Sequence, residues 1–359
     1  MNKELIQHLI KEINIMASKE IKIMEVCGTH TQIISKLGIR SVLSPNIKLL
    51  SGPGCPVCVT DEKYIDTAIE MLSKYDVVIA TFGDLLRLKG TKNCLLDEKS
   101  KGKNVIIVYS PMDLIKMAED NKKRKIIFLG VGFETTAPII ALTIRAAFEK
   151  ELNNLFFLTS IKLMSPILHY ILKQPESQIQ GFICPGHVAS IKGSNYFKFI
   201  VEDYNIPAAV CGFEALDILG GVHYLVKQIS NNKNRGFKNM YKRCVKPEGN
   251  PTANQLIEEV FQVSHGEWRG IGQVENSFLI IKKKYENLDA EKNFEVNIER
   301  QSYITKCACS DILLGNKTPR ECQLFDRICN PLSPYGPCMV STEGACAIAY
   351  QYREEVYNV

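Results

Sequence analysis

Residues 125–148 read KIIFLGVGFETTAPIIALTIRAAF. An Ile- and Phe-rich apolar run passes through a Gly-bearing turn into apolar positions at helical spacing, which spells strand, loop and helix in succession. The same phrase recurs on both sides. IKIMEV (21–26) leads into CGTHTQIISKL (27–37), IKLLS (47–51) into GPGCPVCVTDEKYIDTAIEML (52–72), DVVIA (76–80) into TFGDLLRL (81–88) and NVIIVYS (104–110) into PMDLIKMAED (111–120). Further on, LFFLTS (155–160) precedes IKLMSPILHYIL (161–172), GFICPG (181–186) precedes HVASIKGSNYFKFI (187–200) and PAAVCG (207–212) precedes FEALDILGGVHYLVKQI (213–229). Alternation of this kind predicts an α/β fold with parallel sheets covered by helices on both faces. Two doubly wound parallel-sheet domains are expected, at 20–122 and 123–235. A connecting segment, 236–300, is read as a helix, a turn and the strand SFLIIKKKY (277–285). From 301 to 359 the pattern breaks into crowded Cys, Pro and Gly, the composition of a small metal-braced module.

Composition limits the function. At 359 residues the chain exceeds what one hydrophobic core serves. Its 45% hydrophobic and 23% charged content is that of a folded globular protein rather than a disordered or fibrous one. The uncharged stretches 177–191 and 328–342 are short and broken by Pro and Gly, so no membrane span is expected. The first helix-like segment carries Glu4, Lys11 and Glu12 inside its apolar pattern, unlike a secretory signal, and a cytoplasmic location is expected. The net charge is +5, and the basic runs 122–125 and 282–284 are short and lack a nucleic-acid-binding module, so nucleic acid is not an expected partner.

Thirteen cysteines are many for a reducing compartment. In open parallel sheets ligands bind beyond the carboxyl ends of strands, and the unusual residues here follow strands. Cys27-Gly28-Thr29-His30-Thr31 follows the first strand, and Cys55-Pro56-Val57-Cys58 follows the second, read as lying directly before a helix. Cys55 and Cys58 have CxxC spacing, and a helix N-terminus would favour their thiolates. That spacing suits thiol redox or catalytic metal chemistry; half of a structural zinc site would need a second pair nearby, which is missing. Cys27 with His30 reads as a nucleophile with its base, as two soft ligands, or as a buried thiol beside a loop histidine. Glu134 opens a helix, where it is either a site carboxylate or an ordinary capping residue. His187, in PGH (185–187), either donates to an anion or closes a turn. Gly130 and Gly132 resemble a dinucleotide fingerprint, but Thr135 stands in place of its third glycine.

The C-terminal cysteines carry the strongest signal. Cys307, Cys322, Cys329 and Cys346 are spaced C-x14-C-x6-C-x16-C, with Cys309 and Cys338 in the same segment. A tetrahedral metal or a [4Fe-4S] cluster suits such a set, and the wide spacing among prolines favours iron–sulfur over zinc. Spacing alone does not choose four ligands among these thiols.

MEVCGTHT (24–31), SGPGCPVCVT (51–60), GFETTAP (132–138), PGHVASIKG (185–193), GFEALDIL (212–219) and GPCMVSTEGACAIAYQY (336–352) together resemble the HypD family of [NiFe]-hydrogenase maturation factors, nearly end to end. The resemblance implies a scaffold rather than a conventional turnover enzyme. With a HypC-type chaperone it would hold Fe(II) while cyanide and carbon monoxide are attached, forming the Fe(CN)2CO unit passed to the hydrogenase large-subunit precursor. HypE, with HypF, would supply the cyanide. Carried over by residue, Cys27 would be the iron ligand, and Cys55 and Cys58 a ligand pair or a dithiol switch. Glu134 and His187 would line the cleft, and His30 is expected with them among the catalytic residues. Cys307, Cys322, Cys329 and Cys346 would hold the [4Fe-4S] cluster. Two rivals stand beside this reading. One is a thiol-disulfide oxidoreductase coupled to an iron–sulfur cluster, which leaves CGTHT without a purpose. The other is a nucleotide-dependent enzyme, which would need a phosphate loop that the sequence lacks.

Overall fold

The computed structural model describes residues 2–231, 235–298 and 306–352. In chain order the strands are β1 Ile21–Glu25, β2 Ile47–Ser51, β3 Val77–Thr81, β4 Val105–Ile107, β5 Lys125–Gly132, β6 Leu155–Lys162, β7 Gly181–Pro185, β8 Ala208–Cys211, β9 Phe237–Asn239, β10 Phe261–Trp268 and β11 Gly272–Ile281. They form two sheets, each in its own compact unit. The first unit comprises Met1–Cys55, Ile167–Asn250 and Cys307–Val359; the second comprises Pro56–Pro166 and Pro251–Lys306.

The first unit holds a parallel sheet in the order β2-β1-β7-β8-β9. Strands β7 and β8 are buried at every position, as covering on both faces demands, and their sequences are correspondingly apolar without alternation. The helix Asn2–Met16 turns Ile13 into a core with Ile23, Ile34, Ile183, Val222 and Leu225, the last two contributed by the helix Ala215–Ser230. That helix shows why Glu4, Lys11 and Glu12 interrupt its apolar pattern: it is amphipathic, with one face buried.

In the second unit the order is β10-β11-β6-β5-β3-β4, parallel from β6 to β4. The hairpin β10–β11 joins the edge of β6 in antiparallel sense. Among the described residues, no helix is long and apolar enough to cross a membrane.

The α/β class and the parallel sheets match the sequence expectation. The division of the chain differs from the consecutive domains expected at 20–122 and 123–235. β1 and β2 pair with β7, whereas β3 and β4 share a sheet with β5 and β6, so the units interleave along the chain. Periodicity specifies what each segment becomes, but parallel neighbours need long crossovers, so it does not say which strand inserts beside which. Likewise 236–300 is more than a connector. It supplies β9 to the first sheet and, after the helix Pro251–Val260, the β10–β11 hairpin to the second. Of the Cys-rich 301–359, residues 301–305 and 353–359 lie outside the described residues, and 307–352 belong to the first unit.

Candidate functional site

Cys27 follows β1 and is the N-cap of the helix Gly28–Lys36, with an extended backbone (φ −151°, ψ 122°). The backbone N–H groups of Thr29 and His30 favour its thiolate, but burial outweighs them and, with the Glu343 and Glu25 charges, pushes the thiol up to about 12. Cys27 is therefore a neutral thiol at rest. Two glycines make room for it. A Cβ on Gly54 would lie 2.4 Å from the Cys27 nitrogen, and one on Gly28 would lie 2.6 Å from both the Cβ and the carbonyl oxygen of Glu343. Thr29 donates its hydroxyl to Glu343 Oε1 at 3.3 Å. Glu25, 1% exposed, accepts the Cys27 N–H at 3.3 Å and the Thr31 hydroxyl at 2.5 Å. Burial raises its carboxyl to about 7, against the opposing effects of Thr31, Arg40 and Ser51.

One turn into the same helix, His30 is fully buried, and burial lowers its imidazole to about 4, so it is neutral at pH 7. Nε2 lies 3.0 Å from the Gly212 carbonyl, while Nδ1 has no hydrogen-bond partner. The ring stacks on Phe213 at 4.8 Å, and Phe213 stacks in turn on His187 at 3.9 Å. The structure thus brings His30 and His187 together through Phe213 in the first unit, with Cys27 at the start of the helix that carries His30.

Cys55 and Cys58 are joined as a disulfide that closes the CPVC loop. Contrary to the sequence reading, this loop is not at a helix N-terminus. The next helix, Glu62–Lys74, begins only at Glu62, where Asp61 accepts the Lys63 N–H at 2.9 Å as its cap. Turns at 56–59 come first, held by the Thr60 hydroxyl on the Pro56 carbonyl at 2.8 Å. The helix-terminus position belongs to Cys27. Glu134 lies in the second unit, fully buried after β5. Its Oε1 accepts the Met164 N–H at 2.7 Å, so it caps the helix Met164–Leu172 rather than the one that it precedes in sequence.

In the C-terminal segment Cys309, Cys322, Cys329, Cys338 and Cys346 are buried and Cys307 is partly so. Burial pushes Cys307 up to about 12, reinforced by Cys309, Cys322 and Cys329; burial also raises Cys346, which senses Cys309, Cys307, Cys329 and Cys322. These thiols lie within electrostatic reach of one another. The Cys309 and Cys338 sulfurs are 2.6 Å apart, and Cys338 also senses Cys346 and Cys307, so this pair sits among the other thiols. A Cβ on Gly336 would lie 2.3 Å from the Cys307 sulfur, so the glycine keeps space open there. Among the described residues, no group of three or more His, Cys, Asp or Glu side chains is arranged to hold a metal ion. The donor set, thiols with Gly336 against the Cys307 sulfur, is of the chemical kind that iron–sulfur clusters use.

Comparison with known proteins agrees with these motifs. The family model for HypD, described as "Hydrogenase formation hypA family", matches residues 4–353. The chain belongs to the HypD family. It is 40% identical over 356 residues to the hydrogenase maturation factor HypD of Escherichia coli, covering 98% of this chain and 95% of the relative. It is 38% identical over 353 residues to that of Rhodobacter capsulatus, covering 97% and 93%, and 35% identical over 359 residues to that of Cupriavidus necator, covering 97% and 94%.

Sequence reasoning missed two residues of this HypD-family site. Glu25 ends β1, and a carboxylate at the otherwise apolar end of this strand is the signal that marks it. Glu343 lies 314 positions from Thr29, and no local pattern links them.

Proposed function

We propose that this chain serves hydrogenase maturation as an assembly scaffold. With a HypC-type chaperone it holds Fe(II), its cargo, while cyanide from HypE and HypF and carbon monoxide are attached, and the Fe(CN)2CO unit passes through the chaperone to the hydrogenase large-subunit precursor. The observation that carries this reading is Cys27: a buried neutral thiol at a helix N-terminus, in a glycine-walled niche with the unpartnered His30 Nδ1 in the same turn. A soft thiolate and an imidazole suit low-spin Fe(II), and the helix N-terminus favours an anionic complex. Glu343 and Thr29 brace the niche.

The Cys55–Cys58 disulfide supports a redox role for that pair rather than permanent ligation. Its reduction takes two electrons and two protons and yields two thiols. Cys307, Cys322, Cys329 and Cys346 would hold a [4Fe-4S] cluster, and the group would supply single-electron transfer. A stand-alone thiol-disulfide oxidoreductase would use the CPVC loop and the C-terminal cysteines but leave the Cys27 niche without a role.

The test is iron content. The chain purified anaerobically with its chaperone should carry iron beyond that of any cluster, and Cys27→Ala should lose this iron with its far-UV circular dichroism unchanged. Normal loading by a folded Cys27→Ala variant removes the assignment.

A further inference from the structure

The two ring nitrogens of His30 are held unequally. The Gly212 carbonyl oxygen, 3.0 Å from Nε2, only accepts, so Nε2 carries the hydrogen and donates. A neutral imidazole then bears a bare lone pair on Nδ1, and that fully buried atom has no hydrogen-bond partner. Leaving a buried acceptor unpaired is costly, and such a group calls for an explanation in function.

What fixes the Gly212 carbonyl lies outside the niche. A Cβ on Gly212 would lie 2.3 Å from Asp217 Oδ2 and 2.5 Å from the Tyr241 ring, so its backbone is pressed against both. Asp217 is gripped by the Arg243 guanidinium through two bonds of 2.7 and 2.6 Å, and also accepts the Glu214 N–H at 3.2 Å. Tyr241 stands edge-on to Phe213 at 5.9 Å, and the Arg243 guanidinium covers the Tyr241 ring at 4.7 Å. One half-exposed arginine therefore locks both the carboxylate and the ring that press on Gly212 and Phe213, two of the groups against His30, the Cys211 carbonyl being a third.

We infer that Asp217, Tyr241 and Arg243 are positioning residues for His30, holding the Gly212 carbonyl so that the imidazole keeps its Nε2–H tautomer and offers Nδ1 as a lone pair in the same helical turn as Cys27. A clamp that served stability alone would not need an unpaired nitrogen at its centre. The inference deepens the scaffold reading and rests on it only for what the lone pair receives.

The test is nitrogen-15 NMR of the full-length chain labelled at histidine, with the His30 signals assigned by their loss in His30→Gln. The wild-type chain should show one fixed tautomer, hydrogen on Nε2. Arg243→Ala should show two tautomers in exchange, with the thermal unfolding midpoint recorded alongside, and Arg243→Lys should lie between. Retention of the single tautomer in a folded Arg243→Ala overturns the inference; should that variant not fold, Asp217→Asn provides the same readout under the same criterion. Titration with ferrous ion alone should show affinity about tenfold weaker in Arg243→Ala, and no further loss when His30 is already Gln. A tenfold loss that persists in the His30→Gln background also overturns it. A fixed tautomer in a wild-type chain that binds no ferrous ion upholds the positioning and sinks the scaffold reading instead.

Discussion

Cys27 is confined by backbone more than by side chains. The space for its amide is created by the missing Cβ of Gly54, 2.4 Å away, and the contact with Glu343 by the missing Cβ of Gly28. Gly54→Ala should therefore displace the Cys27 loop and cost about 1–3 kcal/mol, since the clash is with backbone that cannot swing aside. Chemical denaturation and iron loading should fall together, and an unchanged midpoint would show that the loop is softer than its packing implies. At this scale much of the site was legible. The residues of CGTHT and GPGCPVC stand out because Cys, His and Gly collect where strands end. Glu343 was illegible because its contact with Thr29 is made only by the tertiary fold, and the helix expected directly after Cys58 begins only at Glu62 because turns intervene, whereas Cys27 is itself an N-cap.

β6 carries a burden its neighbours do not. Lys162, at its end, is fully buried, with Nζ 2.7 Å from Ser160 Oγ and over the Phe278 ring at 4.5 Å. Burial lowers the ammonium to about 7, the Asp61 charge only partly opposing it. The unfolded chain then binds more protons than the folded one between about pH 7 and pH 10.5, so stability rises with pH across that window and is lost as pH falls through it. Lys162→Met should flatten this dependence and raise the unfolding midpoint at pH 7, as buried charges replaced by apolar groups often do. A pH profile identical to the wild type would mean that Lys162 is hydrated in solution. Within the first unit, Ile13→Ala should cost about 2–5 kcal/mol, because its helix is anchored through that fully buried side chain. Most strands and helices were readable from their period. β10 was not: its sequence FQVSHGEW is half exposed and polar, so a hairpin edge strand gave no apolar run to follow.

Along the whole chain the path passes between the units four times, at 55/56, 166/167, 250/251 and 306/307. Sheet membership was the least legible feature, since β7 inserts beside β1 across 155 or more intervening residues for reasons no local window contains. Neither unit is then a contiguous fragment. Residues 1–166 alone should show no cooperative unfolding of the first unit, because β1 and β2 would lack β7 and β8; a sharp transition for that sheet would contradict the interleaved topology. Cys329→Ser should remove iron–sulfur absorbance while both α/β units keep their circular dichroism, and collapse of both would make the cluster part of the core. The central claim, that the Cys27 niche holds iron while diatomic ligands are attached, is tested most directly by infrared spectroscopy of the anaerobic complex with the HypC-type chaperone. Two metal-cyanide bands and one metal-carbonyl band, all lost in Cys27→Ala, are the predicted result. Their absence from an iron-replete complex, or their persistence in a folded Cys27→Ala, would contradict it.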